Sequence, residues 1–145
     1  GAGSVGGNAR PVATQATARQ GGNGGTGLAS SISGAQIFYA GGGSGGTYPI
    51  TGVQFGPGQA GAGGGGTGGA GTAGSSGFAN TGGGGGGAGN TDTSAFTGGA
   101  GGSGIVIIRY PSYLLPAAST TGSPETYVSG QYRVYKFIAN GTITF

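Results

Sequence analysis

The sequence predicts an irregular, all-β fold: a bundle of polyglycine II helices joined by short loops, followed by β-strands, with little or no α-helix. Three observations predict it. Of 145 residues 43 are glycine, and in the glycine tracts they recur as Gly-Gly-X. The last tract runs directly into the apolar stretch Ile105-Val106-Ile107-Ile108. Near the end, Asn140-Gly141 lies between segments that alternate apolar and polar residues.

Composition limits what such a chain can be. Ordering a residue costs roughly 1–2 kcal/mol of backbone entropy, glycine costs most, and it returns almost no apolar area. With only 34% hydrophobic residues, alanine included, a large core is out of reach, so backbone hydrogen bonds must compensate or the tracts stay disordered. Disordered chains usually avoid collapse through charge or proline, whereas this one has five cations, two carboxylates and six prolines. That favours an ordered glycine structure over a disordered, condensate-type one. The cations Arg10, Arg19, Arg109, Arg133 and Lys136 are scattered, which argues against nucleic acid as a partner. No cysteine is present, so thiols say nothing about compartment. No apolar run approaches the roughly 20 residues of a membrane-spanning helix, which argues against membrane insertion. The chain opens Gly1-Ala2-Gly3 without Met, as a processed product or a segment of something longer would.

The tracts are 21–27, 41–46, 56–74, 82–89 and 98–104. Their other residues keep a spacing of three: Asn23 and Thr26, Ser44 and Thr47, Thr67, Ala70 and Ala73, Ala100 and Ser103. A period of three matches the left-handed extended helix of three residues per turn and about 3.1 Å rise, in which every X projects the same way. The other two faces then carry only Cα hydrogens and can meet neighbouring rods through N–H to O=C and Cα–H to O contacts. Collagen needs one glycine per triplet with abundant proline, and silk-like sheets need strict alternation, which only 59–63 offers. A flexible linker demands no three-residue phase.

Between the tracts lie 28–40, 47–55, 75–81 and 90–97, each with an aromatic residue. They read as reversals, "AQIFY" being a brief strand. If rods alternate in direction, the first and third reversals share one end and the second and fourth the other, unless the long third tract folds back on itself. The run 105–110 reads as a strand buried on both faces, the apolar anchor that glycine rods lack, with Arg109 bound to a carbonyl or carboxylate. Pro111 and Pro116 end it. The chain therefore divides into an N-terminal segment 1–20, a glycine-rich domain 21–111, a linker 112–126 and a C-terminal hairpin 127–145. In that hairpin (about 131–145) Asn140-Gly141 would form a type I′ turn. Tyr132, Val134, Ile138, Ile143 and Phe145 would then share one apolar face, a candidate assembly surface. The turn also accounts for Asn140-Gly141-Thr142, which otherwise matches a glycosylation site.

Little here carries catalytic chemistry. Without His, Cys, Met or Trp the common bases, thiol nucleophiles and soft metal ligands are missing. Asp92 and Glu125 are the only carboxylates, with no spacing that favours a glycosidase pair. "GNGGTG" at 22–27 fits a dinucleotide fingerprint only as chance allows in so much glycine. No catalytic, cofactor or metal residue is assigned, and an enzyme is not expected. The aromatics Phe38, Tyr39, Tyr48, Phe55, Phe78 and Phe96 read either as caps on the rod ends or as ligand-contacting tips.

The runs "GLASSISGAQIFYAGGG", "GFANTGGGGGGAG" and "GGAGGSGIVIIRYP" resemble, over roughly 21–111, the glycine-rich domain of phage tail-fibre and related surface proteins. More distantly the rods resemble the tail-fibre tip adhesins of T-even-like phages, whose polyglycine II helices pack in a sandwich and whose loops bind the bacterial surface. The resemblance implies a non-enzymatic structural and adhesive protein at the virion surface or outside the cell. Its partners would be copies of itself, other fibre proteins or a bacterial surface receptor. The contact candidates are then Tyr48, Pro49, Phe55, Asp92 and Phe96, at one end. In the family a hairpin comparable to "YRVYKFIANGTITF" precedes the tracts, whereas here it follows them. That order suggests a tandem-array segment, or a filament subunit whose hairpin completes the next copy.

Overall fold

The computed structural model describes residues 1–12, 15–48 and 56–145. Among them there is no helix, and the regular structure is a set of small antiparallel sheets. The chain divides into two units, 1–29 with 38–103 and 30–37 with 104–145.

In the first unit the glycine tracts are tied together by backbone hydrogen bonds that advance three residues at a time. Gly41, Ser44 and Thr47 donate to Gly63, Gly66 and Gly69 at 2.9–3.1 Å. Gly84 and Gly87 donate to Gly41 and Ser44, each at 2.8 Å. Partner numbers that rise together mark parallel neighbours, and those that run in opposite senses mark antiparallel ones, as where Gly42 and Gly45 donate to Gly25 and Gly22. By that criterion the legs 1–7, 21–27, 41–47, 58–62, 64–69, 72–78, 83–89 and 97–103 alternate in direction along the chain. Leg 41–47 bonds to 21–27, 58–62, 64–69 and 83–89. A pleated strand directs its N–H and C=O groups to two opposite sides only, so these legs form a stack and not a sheet.

Two details depart from the sequence reading. The third tract is not one rod: it reverses at Gly63 and Gly64, whose φ of +100° and +90° suit residues without a Cβ, and again near Gly71, with φ +65°. Residues 75–77 lie within a leg, so that reversal is confined to 79–82. Because two extra reversals were added, the parity of the remaining loops is unchanged. The spacing between legs depends on glycine. A Cβ on Gly43 would fall 1.9 Å from the carbonyl oxygen of Gly85, and one on Gly61 1.9 Å from that of Gly25. Where X is not glycine it serves the stack: Ser44, 2% exposed, accepts the Gly68 N–H on Oγ at 2.8 Å. The N-terminal residues join the same stack, Gly3 and Gly7 donating to Thr26 and Asn23. They continue into a hairpin of β1 (Arg10–Val12) and β2 (Gln15–Gln20), whose register shifts between Pro11 and Val12. Strands β3 (Leu28–Ser30) and β4 (Ile37–Tyr39) pair as a two-stranded sheet.

The second unit holds β5 (Val106–Pro111), β6 (Ser119–Thr120), β7 (Glu125–Ser129), β8 (Tyr132–Phe137) and β9 (Ile143–Thr144). Its main sheet has the order β5-β8-β7. Alternation puts Ile107, Arg109, Val134, Lys136, Glu125 and Tyr127 on one face, and Val106, Ile108, Tyr110, Arg133, Tyr135 and Phe137 on the other. Segment 30–37 is tied to the first face beside Val134: Arg109 Nη1 donates to the Ser31 carbonyl at 3.0 Å, and the Tyr127 hydroxyl to that of Ser33 at 2.8 Å. The Arg109 guanidinium also lies 4.1 Å from the Tyr132 ring centroid, and Lys136 meets Glu125 across the strands at 3.1 Å. On the second face Tyr110 stacks on Tyr135 at 5.9 Å and meets Phe145 edge-on at 5.3 Å. Lost hydration and the bond it donates to Tyr135 hold the Tyr110 hydroxyl above the ordinary tyrosine range.

The strand 105–110 is therefore not buried on both faces. As an edge strand it has a neighbour on one side only, and Val106 stays 59% exposed. The interior belongs to central β8, where Val134, Tyr135 and Phe137 are buried. The expected hairpin also differs. A type I′ turn needs positive φ at both central residues, and neither Asn140 nor Gly141 has it. The hairpin is instead β7–β8, closed by Gly130-Gln131 with Gly130 at φ +58°, the first-position glycine of a type II′ turn. Strand β9 pairs with β6, and Thr121 and Thr142 join their hydroxyls at 2.9 Å. Hence the proposed assembly residues do not share one face. Tyr132 and Val134 lie on the β8 face tied to 30–37, Ile143 pairs with Thr120, and Ile138 and Phe145 are exposed beyond the strand ends.

Candidate functional site

Of the contact candidates, the structure brings Tyr48 and Asp92 together, although they are 44 residues apart: the Tyr48 hydroxyl donates to Oδ1 of Asp92. Pro49 and Phe55 lie outside the described residues. Tyr48 is placed by the buried Thr47, whose N–H bonds to the Gly69 carbonyl at 2.9 Å. Both feet of loop 90–97 are anchored in the stack, Gly89 N–H on the Thr72 carbonyl and Thr97 C=O under the Gly74 N–H, each at 3.0 Å.

The loop is shaped by its own short polar side chains. Asn90 Oδ1 accepts the Phe96 N–H at 2.8 Å, Thr91 Oγ1 accepts the Ser94 N–H at 3.0 Å, and Thr91 N–H reaches the Ser94 carbonyl at 2.9 Å. Asn and Thr favour such turns because their side chains replace backbone partners. Asp92 is thereby held exposed at the tip, with Phe96 half-buried behind it. The site offers an aromatic ring, an exposed carboxylate and exposed hydroxyls. That set can accept hydrogen bonds and stack, and it contains no nucleophile–base pair. Among the described residues no group of three His, Cys, Asp or Glu could hold a metal ion.

The bond to Asp92, with lost hydration and the carboxylate charge behind it, raises the Tyr48 pKa above its ordinary 10. A folded-state pKa above the unfolded value gives stability that is present in full below pH 10 and lost as pH rises through the folded value. Spectrophotometric titration of Tyr48→Phe should accordingly lose one phenol from the late-titrating group; loss of a phenol with ordinary titration would show that the bond does not form in solution.

The Gly-Gly-X phase and the reversal signals leave the parity of the legs open, because the third tract can fold back; its two reversals, at Gly63-Gly64 and near Gly71, bring 47–48 and 90–97 to one end. The signal for this loop's shape is the polar turn chemistry of Asn90 and Thr91. No curated protein and no solved structure matches the chain. A family model described as a glycine-rich domain matches residues 1–111, from the N-terminal leg to the last residue of β5, and the chain belongs to that glycine-rich domain family.

Proposed function

We propose that the chain is a non-enzymatic structural and adhesive protein of an extracellular fibre, of the phage tail-fibre or fibre-tip kind. Its glycine legs, in this reading, are polyglycine II helices that form a stiff scaffold, and its reversals make the contacts. The observation that carries the reading is the Tyr48–Asp92 hydrogen bond, which joins two separate reversals at one end of a backbone-bonded stack. The three-residue stepping of the hydrogen bonds supports the helix assignment. Its partner would be a bacterial surface receptor. Labelled chain should sediment with intact bacteria. Exchanging 90–97 for a Gly/Ser segment of equal length together with Tyr48→Ala should abolish that association, and adsorption unchanged by the exchange would end the reading.

A second reading, a self-assembling filament subunit, is favoured by the second unit. Among the described residues the outer edge of β5 takes one backbone hydrogen bond, from the Leu114 N–H to the Pro111 carbonyl at 3.2 Å, and none between 106 and 110. Beside it Val106, Ile108, Phe137, Ala139 and Ile143 line an open apolar depression of about 420 Å³. Exposed edges are templates for another strand, and here that edge, more than the 131–145 segment already engaged within its own chain, would take the next copy. Electron cryo-microscopy at several concentrations separates the two: discrete particles favour the tip, regular filaments the subunit.

A further inference from the structure

We propose that a polar pocket at the foot of the first glycine leg binds a carboxylate-bearing sugar. The pocket, about 450 Å³, is lined by Gly7, Asn8, Arg10, Gln20, Gly21 and Asn23, a volume within the roughly 300–1,000 Å³ of small-molecule sites. Backbone pairing builds it. Arg10 faces Gln20 at the stack end of the β1–β2 hairpin, and the Gly7 N–H bonds to the Asn23 carbonyl at 2.8 Å.

The lining selects the ligand class. The Arg10 guanidinium has no hydrogen-bond or ion-pair partner among the described residues, and neither side-chain carboxylate of the chain is available to it: Asp92 is engaged by Tyr48, and Glu125 by Lys136 at 3.1 Å. An uncompensated guanidinium presents a planar fork that suits a carboxylate. Around it stand three carboxamides. That of Asn23 is oriented because its Oδ1 accepts the Gln59 N–H at 2.8 Å, which leaves Nδ2 as a donor. Asn8 and Gln20 are exposed and offer both donors and acceptors, which is what sugar hydroxyls require. A polyphosphate or nucleic acid would call for clustered cations, and the pocket has one. A neutral sugar would leave the fork unused.

The site does not depend on the adhesive reading, whose contacts are at Tyr48 and 90–97. The test is NMR titration of the full chain with D-galacturonate, D-galactose and acetate. Galacturonate should shift the amides of Gly7, Gly21 and Asn23, with galactose and acetate each weaker by about tenfold or more, the scale of one charge-assisted hydrogen bond. Arg10→Gln should weaken galacturonate by about tenfold, while Lys136→Gln, an equal change of net charge elsewhere, should not. No galacturonate binding, galactose or acetate binding as tightly, or equal losses in the two variants would each overturn the proposal. Shifts at 7–23 with unaltered adsorption by the Tyr48 and 90–97 variant would uphold this site while ending the adhesive one.

Discussion

Gly86→Ala is expected to destabilise the glycine stack by roughly 3 kcal/mol or more, at the upper end of what overpacking costs because no side chain is there to yield. Its Cβ would sit 2.0 Å from the Thr67 carbonyl oxygen and 2.3 Å from the Thr67 carbonyl carbon. Both are backbone atoms, so leg 83–89 must move away from leg 64–69. Movement is costly because Gly86 is bonded on both sides, donating to Ser75 at 2.9 Å and accepting from Gly99 at 2.8 Å. The same substitution at Gly101 meets nothing nearer than 3.6 Å, and there the lower entropy of the unfolded chain should stabilise by about 0.4–1 kcal/mol. Thermal melts of the two variants check this, with amide exchange at Gly84 and Gly87 as the local readout. Equal and small effects would mean that the legs do not lie as close as the structure places them.

The opposite signs follow from what holds the first unit together. Its legs bury almost no apolar side chain, so stability comes from many backbone hydrogen bonds, each with a net value of only about 0.5–1.5 kcal/mol. Such a lattice tolerates change at its rim and fails when one interior row is forced apart.

The Gly-Gly-X phase made the stacking legible in the sequence, since nothing but close backbone approach requires it. The reversals within 56–74 were less legible because glycine is equally at home in a leg and in a turn: Gly63 and Gly65 look alike, and only the first has positive φ. Asn140-Gly141 misled for a different reason. Local turn preference is worth little against sheet pairing, and β8 had already found two partners, β5 and β7, on its two sides. The exposure of β5 is not legible in the sequence because an unbroken apolar run is ambiguous between a central strand and an edge strand with exposed apolar residues. The polar pocket is not legible because Asn8, Arg10, Gln20 and Asn23 fall in no motif and converge through the bond between legs 1–7 and 21–27 and the β1–β2 pairing, of which the alternation in Gln15-Ala16-Thr17-Ala18-Arg19 is a local sign.

Val134→Ala should remove a large share of the second unit's stability. Val134 is 0% exposed and is the largest fully buried side chain among the described residues. It sits between Arg109 and Tyr127 in register, the two residues bonded to segment 30–37. Removing two buried methyl groups and leaving a cavity costs about 2–3 kcal/mol. A unit of about 50 residues has on the order of 3–7 kcal/mol in all, so one substitution takes a large share. Val106→Ala, on the exposed side of edge strand β5, should cost less than about 0.5 kcal/mol. Near-ultraviolet circular dichroism of the tyrosines, followed in urea, reads both, because Tyr110, Tyr127, Tyr132 and Tyr135 all lie in this sheet. If Val106→Ala proved the costlier change, β5 would be buried in solution by a neighbour that the isolated chain lacks, and the filament reading would gain what the tip reading lost.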